Sequence, residues 1–162
     1  MTNLFDLADK VGQTLKAKKL ILSVAESCTG GGVSQAITEI AGSSEWFDSG
    51  FVPYSNSAKT EMLGISAALI AQHGAVSEEI AAALAEAAVS HSEAHVGIST
   101  TGIAGPGGAV PGKPVGTVCF GWHLHGRTYT ERKVFLGDRH AVREQTVQHA
   151  LIKLQYFLDA SR

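Results

Sequence analysis

Two hydrophobic periods alternate along the chain and divide it into elements. Leu4, Leu7, Ala8, Val11 and Leu15 recur at helical spacing, predicting an amphipathic helix from Thr2 to about Lys18. Leu20–Val24 is short, apolar and preceded by lysines, the pattern of a buried strand. Val33, Ala36, Ile37 and Ile40 restore the helical period, and Gly42 suits the end of that helix. The aromatic stretch Trp46–Tyr54 is β-prone, and a strand is expected in its second half. Ser57–Leu63 and Ser66–His73 read as short helices. Ser77, followed by Glu78 and Glu79, opens an alanine-rich helix to about Ser92, with a serine cap and acids matching the helix dipole.

His95–Thr101 reads as a strand, and the glycine- and proline-rich run Gly102–Lys113 as an extended loop of the kind that usually has a function. Gly116–Leu124 and Thr128–Leu136, joined by His125-Gly126-Arg127, predict a β-hairpin. Asp138 caps a last helix to about Leu158, with Val142, Thr146, Ala150, Leu154 and Phe157 on one face. Helices interleaved with strands, plus one hairpin, predict a single α/β domain spanning 1–162: three layers, α/β/α, around a mixed sheet. The apolar face Ala81–Val89 suits either that core or a dimer contact.

Composition narrows the function classes. With 162 residues, 44% hydrophobic and 17% charged, the chain can bury a core without disulfide or metal staples. A formal net charge of -2 gives no electrostatic case for nucleic acid or an anionic membrane as a partner. Two cysteines, Cys28 and Cys119, make no disulfide framework, and reduced thiols in the cytoplasm are expected. Neither a signal peptide nor a membrane span is predicted.

The candidate chemistry gathers at glycine-rich turns. Ala25-Glu26-Ser27-Cys28-Thr29-Gly30-Gly31-Gly32 joins a strand to a helix and puts two hydroxyls and a thiol ahead of three glycines. Glycines let the backbone approach a ligand, and free N–H groups at a helix start favour anions and developing oxyanions. Either a nucleophile sits there, or Ser and Thr merely cap the helix. Cys28 rivals Ser27 as that nucleophile, because a helix N-terminus lowers a thiol pKa. No histidine stands in sequence as its base.

Tyr54-Ser55-Asn56-Ser57-Ala58-Lys59 forms a second cluster. A lysine kept neutral by burial can take a proton from serine, and a tyrosine can relay or orient it. Taken alone, the cluster is better read as a solvated lysine beside an amphipathic strand-end tyrosine. Ser99–Gly108, a third cluster, offers hydroxyls and open N–H groups to a phosphate or oxyanion. Within its loop, Gly107-x-x-x-x-Gly112-Lys113 falls short of a P-loop, since Pro114 replaces the Mg²⁺-binding hydroxyl. Arg139 and Arg143, four apart on the last helix, form either an anion clamp or a solvated face. The histidine pairs His91/His95 and His123/His125, the latter sharing a strand face, lack acid or thiolate partners at ligand spacing, so no metal is expected.

Together these clusters resemble the CinA C-terminal domain family, whose active members are nicotinamide-nucleotide amidohydrolases. The resemblance spans essentially the whole chain. It rests on Ala25–Gly31, Gly42-Ser43-Ser44-x-Trp46-Phe47, Tyr54-Ser55-Asn56-x-x-Lys59 and His73–Ser77, then Thr101–Pro106, Lys113–Val118 and Gly137-Asp138-Arg139. It implies hydrolysis of the carboxamide of nicotinamide mononucleotide to nicotinate mononucleotide and ammonia, in pyridine-nucleotide salvage. It implies Ser27 as nucleophile, Lys59 and Tyr54 activating it, and Thr101 with either Arg139 or Arg143 in the active site. Thr29, Gly30, Gly31, Gly102 and Gly105 are the accompanying substrate-binding positions. No cofactor is implied, and a homodimer is expected. The alternative is a nucleotide-binding or regulatory module of the same fold without turnover.

Overall fold

A computed structural model describes residues 3–161, so Thr2, the expected first residue of the first helix, lies outside the described residues. In chain order the elements are α1 (Leu4–Lys18), β1 (Leu22–Glu26), α2 (Gly32–Thr38), β2 (Phe47–Phe51), α3 (Asn56–Leu63), α4 (Ala67–His73) and α5 (Glu78–Ser90). They continue with β3 (Val96–Gly102), β4 (Thr117–Leu124), β5 (Arg127–Val134) and α6 (Arg139–Ala160). One sheet, ordered β2-β1-β3-β4-β5, has β1 parallel to β2 and β3, and the pairs β3–β4 and β4–β5 antiparallel. The three-layer α/β/α architecture expected from the pattern is the one present.

Each layer has its own apolar cluster. Leu22 and Val24 of β1 face the cluster under α1, α2 and α6, whereas Ala25 faces the one under α3, α4 and α5. A strand covered on both faces is buried throughout, as β1 is, which is why it reads as a continuous apolar run. The Ala81–Val89 face is taken up by the sheet: Ala81, Leu84, Ala85 and Ala88 are fully buried against it.

Several boundaries depart from expectation for local reasons. Leu20 is tied to the end of α1, just past its cap: Lys19 takes a left-handed φ of 58°, and Leu20 N–H bonds the Leu15 carbonyl, so β1 starts at Leu22. Its far end reaches Glu26, which pairs with Thr100 of β3. The strand expected in the second half of 46–54 lies instead at Phe47–Phe51, because Trp46 carbonyl takes the Leu22 N–H and Pro53 has no donor. Helix α2 stops at Thr38, where Gly42 (φ 84°) leads into a 3₁₀ turn at Ser43–Glu45. The hairpin turn contains two residues, His125 (φ 52°) and Gly126 (φ 74°), as a right-twisted ribbon prefers. His125 therefore shares no strand face with His123.

Gly12 of α1 shows how tightly the outer layer packs. A Cβ there would stand 2.4 Å from the ring of buried Trp46. Gly12→Ala gains up to about 1 kcal/mol in helix propensity but overpacks a rigid indole, at about 1–3 kcal/mol. A net loss of stability is expected, read as a lower urea midpoint; a raised midpoint would contradict this packing.

Candidate active site

The parallel strands β2, β1 and β3 end on the same side of the sheet, at the point where chain connections diverge. α2 crosses from β1 to β2 over one face, and the α3–α5 segment returns to β3 over the other. Ligands of open α/β sheets bind at such a switch point. Ser27 follows β1 there, with its N–H bonded to the Thr100 carbonyl of β3 (3.0 Å) and its carbonyl accepting from Gly30 N–H (3.0 Å). Gly30 (φ 60°) and Gly31 (φ 100°) turn the chain into α2 through left-handed conformations that a side chain would strain. Glu26 caps α2 in place of Gly31, which has no side chain to do so.

Lys59 arrives from the other side. Ser55 caps α3 through Ala58 N–H, and Lys59 and Leu63, one turn apart, are the buried residues of that helix. Lys59 is 1% exposed, and its Nζ lies 3.4 Å from Ser27 Oγ and 3.0 Å from the Tyr54 carbonyl. Among the described residues no carboxylate pairs with it. Burial without a counter-ion pushes the Lys59 amine below its ordinary value of 10.5. The solvated-lysine alternative is thereby removed.

The other expected site residues divide into two groups. Tyr54 and Arg139 stand at the rim: Tyr54 is 58% exposed, and its hydroxyl accepts from Arg139 at 3.3 Å. The second Arg139 nitrogen donates to the Gly105 carbonyl (2.8 Å). With Cys28, Gly102, Gly105 and Gly108 these two line a cavity of about 200 Å³ beside the Ser27 turn. Tyr54 meets Lys59 through its carbonyl, while its hydroxyl bonds Arg139. The second group braces the turns from behind. Arg143 donates to the carbonyls of Cys28 (3.1 Å) and Thr29 (3.2 Å), the Thr29 hydroxyl is bound to Glu26 and Thr100, and the Thr101 hydroxyl donates to the Ala75 carbonyl (2.8 Å). Lys113 of the near P-loop is likewise committed, to the His73 carbonyl (3.1 Å).

The thiol is placed unlike the expected activated nucleophile. Burial, reinforced by the Glu26 charge, pushes the Cys28 thiol up to about 12, outweighing the neighbouring N–H and the cations of Arg143 and Lys59. With the thiol held protonated at pH 8, alkylation of Cys28 should run at least about tenfold slower than that of a free cysteine. Iodoacetamide labelling followed by peptide mapping checks this, and rapid labelling would contradict it. His95 Nδ1 accepts the Ile21 N–H (2.9 Å), and among the described residues no group of three His, Cys, Asp or Glu side chains could hold a metal. Nor, among them, is any helix long and apolar enough to cross a membrane.

This geometry defines a class: an α/β/α domain with a serine on a glycine-rich turn and a buried lysine against its hydroxyl. The CinA C-terminal domain profile matches residues 4–158, and the chain belongs to that family. It is 48% identical over 159 residues to "Nicotinamide-nucleotide amidohydrolase PncC" of Escherichia coli K12, covering 97% of this chain and 96% of that protein. The protein of the same name from Pseudomonas putida is 47% identical over 145 residues, 90% of this chain and 91% of its own. Among solved structures, the competence damage-inducible protein A of Klebsiella pneumoniae superposes with a TM-score of 0.96 at 35% identity, covering 99% of this chain and 100% of that one.

Proposed function

We propose that the protein hydrolyses the carboxamide of nicotinamide mononucleotide, releasing ammonia and nicotinate mononucleotide, with Ser27 as nucleophile and Lys59 as its base. The observation carrying this reading is the 3.4 Å approach to a serine hydroxyl of a buried lysine that, among the described residues, has no acid partner. Homology to proteins named for this amidohydrolase reaction supports the substrate.

In the proposed sequence Lys59, as the free amine, takes the Ser27 proton while Oγ attacks the amide carbon. The oxyanion meets backbone N–H groups of the Cys28–Gly31 turn. Arg143 favours this arrangement: holding the Cys28 carbonyl on its own side leaves the N–H of the same peptide, that of Thr29, pointing away from it. The protonated Lys59 passes its proton to the departing nitrogen, and ammonia leaves a nicotinate ester on Ser27. Lys59 then deprotonates a water that attacks the ester; the tetrahedral adduct expels Ser27 Oγ, which takes that proton back from Lys59, and nicotinate mononucleotide leaves with both side chains restored. Arg139, lining the cavity, meets the substrate phosphate; Arg143, committed to carbonyls, positions the turn. Tyr54 contributes its carbonyl to Lys59 and its hydroxyl to Arg139. Residues 1–162 act as one amidohydrolase domain in this reading.

Ammonia release in EDTA-treated buffer tests it. Nicotinamide mononucleotide is expected to be hydrolysed, with the riboside and free nicotinamide at least about 100-fold poorer, since both lack the phosphate that the arginine reads. Binding of the mononucleotide without ammonia release over hours would overturn the reading in favour of a non-catalytic module.

A further inference from the structure

Glu26, the residue before the proposed nucleophile, is 1% exposed. Its carboxylate accepts four hydrogen bonds: from Thr29 Oγ1 (2.6 Å), Val33 N–H (2.8 Å), Ser34 N–H (2.9 Å) and Ser34 Oγ (2.8 Å). Among the described residues no Lys, Arg or His pairs with it, so dipoles alone compensate the charge. A buried carboxylate is expensive to hold, and a neutral glutamine is not its equal here. An amide offers one accepting oxygen and an NH₂ that would face donors. The surrounding shell is built for an anion.

The arrangement reaches beyond capping α2. One carboxylate oxygen, Oε1, accepts from both Thr29 Oγ1, in the middle of the turn, and Val33 N–H, at its far end, while Oε2 accepts from the N–H and hydroxyl of Ser34. Thr29 Oγ1 also lies 2.9 Å from Thr100 Oγ1, and the Thr100 carbonyl holds the Ser27 N–H at 3.0 Å. A continuous circuit therefore runs from Glu26 through Thr29 and Thr100 to the backbone of Ser27. Side-chain capping alone would need only Val33 and Ser34.

We infer that Glu26 is a positioning residue for the reaction, holding the Ser27–Gly31 turn in register with Lys59 by way of the Thr29 hydroxyl. The inference rests on the serine reading above. A displacement near 1 Å at a reacting atom costs about 100-fold in rate, and that is the loss expected when the bond from the Thr29 hydroxyl to the carboxylate is lost.

The test compares Glu26→Gln, Thr29→Val and Ser34→Ala with the wild type, well below each melting temperature. Ammonia release from nicotinamide mononucleotide is measured alongside the rate of Ser27 labelling by a serine-directed fluorophosphonate. Glu26→Gln and Thr29→Val are expected to lose about 100-fold in kcat with KM within about threefold, and to be labelled correspondingly more slowly. Ser34→Ala, which loosens only the capping side, should keep kcat within about threefold. A Glu26→Gln enzyme that melts lower yet keeps full kcat overturns the inference, as does a rise in KM at constant kcat. If Glu26→Gln fails to fold, Thr29→Val decides alone, and normal turnover by it overturns the inference. A wild type that releases no ammonia sinks the substrate reading instead, while the labelling rates still judge the role of Glu26.

Discussion

Replacing Ser27 with alanine is expected to lower turnover of nicotinamide mononucleotide by about 10⁴-fold or more while leaving KM within a few-fold. The physical case is narrow. Ser27 Oγ has Lys59 as its hydrogen-bond partner, whereas the turn is held by backbone bonds and by Glu26, Thr29 and Arg143. Removing one oxygen deletes the attacking atom and little else. Stability should change by less than about 0.5 kcal/mol, so lost activity is not unfolding in disguise. Kinetics with a urea midpoint on the same preparation checks both halves. Activity within tenfold of the wild type would remove the serine from the mechanism.

Lys59→Met carries the second large effect and pairs loss of rate with gain of stability. Without its base the enzyme should lose about 10²–10⁴-fold in kcat. Methionine fills much of the same buried space with no amine to desolvate, so the folded state should be at least as stable as the wild type at neutral pH. The pH dependence has a definite sign. Burial lowers the Lys59 pKa below 10.5, so between the lowered value and 10.5 the unfolded chain binds more protons than the folded one. The penalty of burying the amine is full below the lowered value and fades as pH rises toward 10.5. Wild-type stability should therefore climb relative to Lys59→Met across that window, seen in paired melting curves. Wild-type kcat/KM should rise as pH passes through the lowered value, because the free amine is the active form. A flat stability difference, or activity that falls as the amine deprotonates, would contradict a buried neutral base.

The layers were legible because burial imposes periodicity. α1, α5 and α6 each bury one stripe, and β1 buries everything, so their patterns are unambiguous. Strand β2 was misplaced because its burial is only partial and its residues, Asp48, Ser49 and Gly50 among them, carry little β signal. The Trp46 carbonyl bond to Leu22 that starts its pairing is a tertiary fact.

At the site, Ser27 and Lys59 could be singled out by residue type, yet their meeting depends on a register that joins β1 to β2. Cys28 was misread for a related reason: the helix-terminus argument holds for an open turn, but desolvation beneath the Gly102 strand end outweighs it. Arg139 and Arg143 share a helix spacing, and only packing sends one to the rim and the other to the carbonyls of the turn. Glu26 gave a faint signal, an acid inside an apolar strand ahead of glycines, which the sequence alone leaves indistinguishable from a solvent-facing residue.

Covalent chemistry at Ser27 is the claim most directly open to measurement. Wild-type enzyme mixed with excess nicotinamide mononucleotide, quenched in acid within milliseconds and digested, should yield a peptide containing Ser27 heavier by the nicotinate mononucleotide acyl group. The same adduct should survive in Cys28→Ala and vanish in Ser27→Ala. An adduct mapped to Cys28, or one still formed in Ser27→Ala, would contradict the account.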